Sequence, residues 1–175
     1  YSVVSEEETI NGCDIVVADT IRIPPEAVDP TIKNYGRLDF VRALFEAYDK
    51  EARYAVLLDG EGNVTEGRGW NIFALDSGHL ISPDEGVLQG ITRRTVVELA
   101  EKLNIEAKLE KLPANRMRGA EEIFLTSTAG GIVPVKSIDG KAVGDGNVGP
   151  VTQRLTDMYW ELHEDDAYTT PVVYN

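Results

Sequence analysis

Cysteine and histidine are nearly missing from this chain. Cys13 is its one cysteine, and His79 and His163 are its two histidines among 175 residues. One cysteine excludes an intramolecular disulfide framework and any multi-cysteine zinc or iron–sulfur centre, so no metal is expected. Two histidines far apart, with no nucleophile-elbow pattern, give no ground for Ser-His-Asp chemistry. Both read as solvated surface residues, and Cys13 reads as a small buried hydrophobe. Cations are scarce as well: 17 Lys+Arg stand against 30 Asp+Glu, a net charge of −13. That argues against a broad basic face for nucleic acid, because phosphate neutralisation needs clustered Lys and Arg. No apolar run reaches the length of a membrane span. The polar, acidic opening from Tyr1 to Glu8 is unlike a signal peptide. The expectation is a cytoplasmic chain with small-molecule partners and neither nucleic acid nor membrane.

The length allows one domain or two small ones, with a core that buries roughly 70% of the unfolded surface. Residues 1–32 predict a strand around Ile15-Val16-Val17-Ala18, then an extended connector, since Pro24, Pro25 and Pro30 forbid a helix. Val41, Leu44, Phe45 and Tyr48 fall at helical spacing and predict a helix over 39–50 with these residues on one face. Tyr54 to Leu58 and Asn71 to Leu75 are strand candidates. With the turn at Asp59 to Asn63 and Leu80-Ile81, they predict an antiparallel meander over 54–82. The clearest helix is 91–103, striped by Val96, Leu99, Ala100 and Leu103 and stopped at Asn104. Strands follow at 105–109 and 123–126, then a turn at Gly130-Gly131 and a Gly/Asp-rich hairpin over 136–148. A last helix opens at Gly149-Pro150, with Val151, Leu155, Met158, Tyr159 and Leu162 on its apolar face. Hairpins mixed with strand–helix units predict an α+β or irregular α/β architecture, not a doubly wound sheet.

Three local features carry candidate chemistry. Lys33, in Pro30-Thr31-Ile32-Lys33-Asn34-Tyr35, precedes a helix. As an isolated lysine it is a surface residue; as a Schiff-base lysine it needs a desolvated, nucleophilic amine. Glu66, in Val64-Thr65-Glu66-Gly67, is either part of a Gly-flanked acidic loop or a carboxylate set against a basic ring nitrogen, the partner that pyridoxal phosphate needs. Gly90 precedes the strongest helix, where free N–H groups and the dipole suit a phosphate, and Thr92 is placed to cap the helix or bond the anion. Otherwise capping is the whole role, with Arg93 and Arg94 on the solvated face. Thr126 to Gly131 is a second hydroxyl-rich loop, either closing over the same phosphate or only a turn. The Gly60, Gly62, Gly67, Gly69 series completes no dinucleotide fingerprint.

In this order the features resemble the class IV (fold type IV) aminotransferases, which use pyridoxal phosphate. Lys33-Asn34, Val64 to Gly67 with Asn71-Ile72, Leu88 to Arg93, and Thr128 to Ile132 carry the resemblance, which runs from about Ile23 onward. Asp29 to Asn34, Val41-Arg42-Ala43, Gly149 to Thr152, Tyr159-Trp160 and the tail to Tyr174 look most like the (R)-selective amine transaminases. The resemblance implies a mixed α/β pseudo-barrel: residues 1–32 as an entry strand and connector, residues 33–175 as the larger cofactor-binding domain. A smaller N-terminal domain, carrying the family's phosphate-binding arginine, is expected before it. Lys33 is implied as the catalytic lysine, Glu66 as partner of the pyridine nitrogen, and Gly90, Ile91, Thr92 and Thr128 as the phosphate site. Ser127, Ala129, Tyr35 and Arg37 are implied at the substrate pocket. The expected reaction is ping-pong transfer from an (R)-primary amine to a keto acid such as pyruvate, in a homodimer. Arg37 stands near where those transaminases carry tryptophan, which favours a substrate carboxylate and shifts preference toward α-keto or D-amino acids. A D-amino acid or branched-chain aminotransferase is the alternative within the family. A non-catalytic binding or assembly domain of the same fold is the remaining alternative.

Overall fold

A computed structural model describes residues 4–172; Tyr1 and Tyr174 lie outside that range. Among the described residues nine strands form one mixed sheet. The strands are β1 (Cys13–Ile21), β2 (Tyr54–Leu58), β3 (Val64–Gly67), β4 (Asn71–Asp76), β5 (His79–Ser82), β6 (Ala107–Leu109), β7 (Glu122–Ser127), β8 (Gly131–Ile138) and β9 (Lys141–Ala142). Their order is β3-β2-β1-β8-β7-β4-β5-β6, with β9 on β8. Helices α1 (Glu6–Asn11), α2 (Leu38–Asp49), α3 (Ile91–Lys102), α4 (Ala114–Arg118) and α5 (Pro150–Glu161) complete the chain.

Parallel pairs (β1 with β2 and β8, β5 with β6) sit beside antiparallel ones (β2 with β3, β4 with β5 and β7, β7 with β8). The expected mixed architecture holds. The meander is corrected: 54–82 folds as two hairpins, β2–β3 and β4–β5, and β4 takes β7 as its other neighbour. The hairpins meet where Gly67 and Trp70 bridge across a tight turn. That bridge brings the edge strand β3 back to β4, so β3-β2-β1-β8-β7-β4 curls towards a barrel. Gly67 is required there, because a Cβ would strike the Trp70 ring.

Strand alternation sorts the core. Ile15, Val17, Val56, Ile72, Ala74, Ile123, Leu125, Val133 and Val135 share one cluster with Met117 of α4. On the other face, Val16, Ala18, Ala55 and Leu57 meet Phe40, Ala43 and Ala47 of α2. Phe73, Phe124 and Ile132 meet Val96, Leu99 and Ala100 of α3 and Leu155 of α5. The predicted stripes of α3 and α5 therefore face the core. That of α2 does not: Val41, Phe45 and Tyr48 are exposed, and the helix packs through Phe40 and two alanines. Small residues let it lie close on β1 and β2. Sequence spacing also missed α1, which Ser5 and Glu8 start with a reciprocal capping box, and the five-residue α4.

Among the described residues no helix is long and apolar enough to cross a membrane, and no His/Cys/Asp/Glu group is placed to hold a metal. Cys13 is buried, and desolvation pushes its thiol up to about 12. His163 is exposed at the end of α5, and half-buried His79 pairs with Glu106.

Candidate active site

Strand β3 buries a carboxylate, and the surrounding donors make that burial tolerable. Glu66 Oε1 accepts from Arg37 Nη1 at 3.2 Å and, more weakly, from Arg22 Nη2 at 3.5 Å. Its Oε2 accepts from the Leu88 N–H at 2.9 Å and from Asn71 Nδ2 at 3.1 Å. An ionised carboxylate offers about four acceptor sites; three donors fill theirs closely here, and Arg22 at 3.5 Å holds the fourth only weakly. Burial still dominates its titration. Desolvation raises the Glu66 carboxyl above its ordinary value despite the Leu88 N–H and the two arginines, which pull the other way. Arg22 is held by Asp39 Oδ2 at 2.6 Å, so two guanidiniums meet two carboxylates in one neutral cluster. Phe40 lies beneath both cations, with ring-centroid distances of 4.4 Å and 5.4 Å.

The same carboxylate is tied to the start of α3. Asn71 donates to Glu66 and also to the Leu88 carbonyl at 3.0 Å, so β4 fixes both the acid and the 88–90 turn. Gly90 is the N-cap and carries no side-chain cap. A Cβ at Gly90 would run into Asn71 Oδ1, so glycine is what allows this approach. The first-turn N–H groups of α3, at Ile91, Thr92 and Arg93, have no acceptor within the helix. Thr92 is buried, yet its Oγ1 has no hydrogen-bond partner, and it does not cap the helix as the sequence suggested. Thr126 Oγ1 is likewise buried and unpartnered. Asn71 pairs with Thr126 across β4–β7, which puts their side chains on one face of the sheet. Thr128, the hydroxyl singled out from the sequence, is exposed in the β7–β8 turn beside exposed Ala129.

Arg93 departs from the expected solvated face. It is buried and donates to Ser82 Oγ at 2.9 Å, Gln89 Oε1 at 3.0 Å and the Pro83 carbonyl at 2.6 Å, bracing α3 against β5. Arg94 is exposed beside Glu98.

Lys33 lies on the connection from β1 to α2 and is exposed. The extended connector is corrected beyond Pro24. Here Asp29 accepts from Thr31 N–H and Oγ1, and Asn34 accepts from Gly36 N–H, so the segment is a run of side-chain-closed turns. Tyr35 is fully exposed. A cavity of about 300 Å³ opens between β2, the Gly67–Trp70 turn and the β7–β8 turn, lined in part by Tyr54, Trp70, Ser127 and Ala129. Two of the four expected pocket residues line it; Tyr35 and Arg37 do not. Arg22 and Asp39 were not singled out from the sequence, Thr126 was named only as the first residue of the hydroxyl-rich loop, and Asn71 was noted without a role. A lone arginine before Pro24-Pro25 and an acid in the first turn of a helix carry no local signal of pairing with each other across 17 positions, or of the arginine's reach to Glu66 across 44.

The model of the amino-transferase class IV family matches residues 4–138. The chain belongs to the class IV aminotransferases. It is 36% identical over 161 residues to the branched-chain-amino-acid aminotransferase-like protein 1 of Arabidopsis thaliana, covering 91% of this chain and 29% of that protein. It is 34% identical over 154 residues to a putative branched-chain-amino-acid aminotransferase of Methanocaldococcus jannaschii, covering 87% and 54%. The pyridoxal-phosphate form of the branched-chain amino acid aminotransferase from Thermobaculum terrenum superposes with a TM-score of 0.87 at 33% identity, covering 95% of this chain and 56% of that one. The chain thus spans about half the length, or less, of these relatives. Class IV aminotransferases use pyridoxal phosphate, and the residues in place fit it. Two buried, unpartnered hydroxyls and an uncapped helix N-terminus suit a phosphate. A buried carboxylate tied to them through Asn71 and Leu88 suits a protonated ring nitrogen.

Proposed function

We propose that this chain is the cofactor-binding part of a pyridoxal-phosphate-dependent aminotransferase that exchanges the amino group between a branched-chain amino acid and a keto acid. The observation that carries this is the coupling of buried Glu66 to the uncapped start of α3, through the Leu88 N–H and the Asn71 amide. It holds a negative charge and an anion-binding helix end in fixed relation. When bound, pyridoxal phosphate supplies an electron sink at its protonated ring. Glu66 would hold that proton at the ring nitrogen. Gly90, Ile91 and Thr92, with Thr126 or Thr128, would bind the phosphate through N–H and hydroxyl groups. Lys33 Nζ would hold the cofactor and move the proton at the substrate Cα. The desolvation its amine needs would come from cofactor, substrate and a second subunit of a homodimer closing over the exposed connection. Ser127 and Ala129 would border the substrate from the cavity beside Trp70.

The relatives' names support the branched-chain substrate. The segments Asp29 to Asn34 and Gly149 to Thr152 support a second reading, an (R)-primary amine as donor. Full-length protein loaded with pyridoxal phosphate should show a visible absorption band that borohydride abolishes and Lys33→Ala lacks. Absence of any reducible adduct at Lys33 refutes the assignment. Rates with L-leucine, (R)-1-phenylethylamine and D-alanine separate the donors, and cofactor binding without turnover on any of them points to a binding domain instead.

A further inference from the structure

The Arg37 side chain links the segment that carries Lys33 to the buried Glu66 carboxylate. Its Nη1 donates to Glu66 Oε1 at 3.2 Å, and its Nη2 donates to the Ile32 carbonyl at 3.1 Å, one residue before Lys33. Among the described residues, the other hydrogen bonds of residues 31–36 are local: Thr31 and Ile32 to Asp29, Asn34 to Ile32, Gly36 to Asn34, and Arg37 N–H to Tyr35. The turn-rich segment is therefore internally closed but tied to the buried carboxylate through one guanidinium. The Arg37 side chain is 18% exposed, and its guanidinium lies against Phe40, the ring that also supports Arg22. Arginine suits this task because its planar fork reaches two acceptors at once, whereas an ammonium acts as a point charge.

We infer that Arg37 is a positioning residue that sets the Lys33 segment against Glu66, rather than a receptor for the substrate carboxylate. Its role in catalysis rests on the aminotransferase assignment; the tether itself does not. The fork spans the two points whose separation decides whether a lysine amine and a ring-nitrogen partner address one cofactor. Its charge is already committed to Glu66, leaving it no free cation to offer a second carboxylate.

The test uses the full-length protein as wild type, Arg37→Leu and Arg37→Lys. Without cofactor, amide exchange over residues 32–37 should rise by about fivefold in Arg37→Leu, the factor expected for losing about 1 kcal/mol of net hydrogen bonding. Exchange in β4 and β7 should not change. Arg37→Lys restores the charge but not the span, so its exchange should stay raised. With cofactor, kcat should fall by a similar factor for amine and amino acid donors alike, with KM for the keto acid unchanged. The proposal is overturned if exchange over 32–37 is unaltered, if lysine restores it fully, or if KM rises only for substrates bearing a carboxylate. Should Arg37→Leu fail to fold, Arg37→Lys decides the same question. A wild type without a reducible Lys33 adduct defeats the aminotransferase assignment alone, since the exchange result still reports on the tether.

Discussion

Thr92→Val separates the cost of the proposed phosphate site from its use. The Thr92 hydroxyl is buried without a partner at the uncapped start of α3. An unsatisfied buried polar group costs about 1–3 kcal/mol, and replacing it by an apolar group of the same shape recovers part of that cost. Valine keeps the β-branched shape and a similar helix propensity, so the unliganded protein should gain about 1 kcal/mol from losing the orphaned hydroxyl. For a domain of this size that corresponds to a rise in Tm of about 2–4 °C. The effect on binding should have the opposite sign. A hydrogen bond to a charged group contributes about 1.5–3 kcal/mol, so affinity for pyridoxal phosphate should fall about 10–100-fold. Thermal scans of full-length wild type and variant, with and without cofactor, read both numbers. The variant should melt higher when empty and gain less from ligand. A variant that melts lower when empty and binds the cofactor as tightly as wild type would refute the assignment of this hydroxyl.

Gly90→Ala should push Asn71 off Glu66 and the Leu88 carbonyl; a fall in cofactor affinity greater than in Gly60→Ala, whose Cβ meets nothing within 4 Å, checks this by titration. Cys13, raised to about 12 by burial, should resist alkylation at pH 8 in the folded protein and react only after denaturation, as mass spectrometry will show. Burial tends to raise the Asp59 carboxyl, but bonds from Asn63 and Glu61 outweigh it and leave it lowered. A lowered folded value contributes stability above the unfolded pKa near 4 that is lost as pH falls through the folded value. Urea midpoints should therefore drop on acidification, and the drop should be smaller in Asp59→Asn.

Legibility followed the range of the interaction. Helices α3 and α5 and strands β2 and β4 were readable because periodicity and end signals such as Pro150 and Asn104 are local. The α2 face was misread because Val41, Phe45 and Tyr48 are larger than Ala43 and Ala47, while close packing on β1 and β2 selected the small residues. Glu66 and Gly90 were readable as candidates. Their connection was not, since Asn71 and the Leu88 N–H become partners only once two hairpins and a helix have met. Arg37 was expected at a substrate carboxylate; its pairing with Glu66 spans 29 positions that no local pattern encodes. Thr126 was legible only as one of several hydroxyls in its segment, because what sets it apart is the partner its buried oxygen lacks.

The central position of β1 bears on synthesis as well as structure. It pairs with β2 on one side and β8 on the other, and the Val17 N–H donates to Asp139 Oδ1, 122 residues away. Translation at about 5–20 residues per second leaves roughly 6–24 s between the two. During that interval β1, with Ile15, Val16, Val17 and Ile21, presents the unpaired edge that β8 will cover, a template for pairing with other chains. A nascent chain paused before Ile138 is thus the form of this protein most in need of a chaperone.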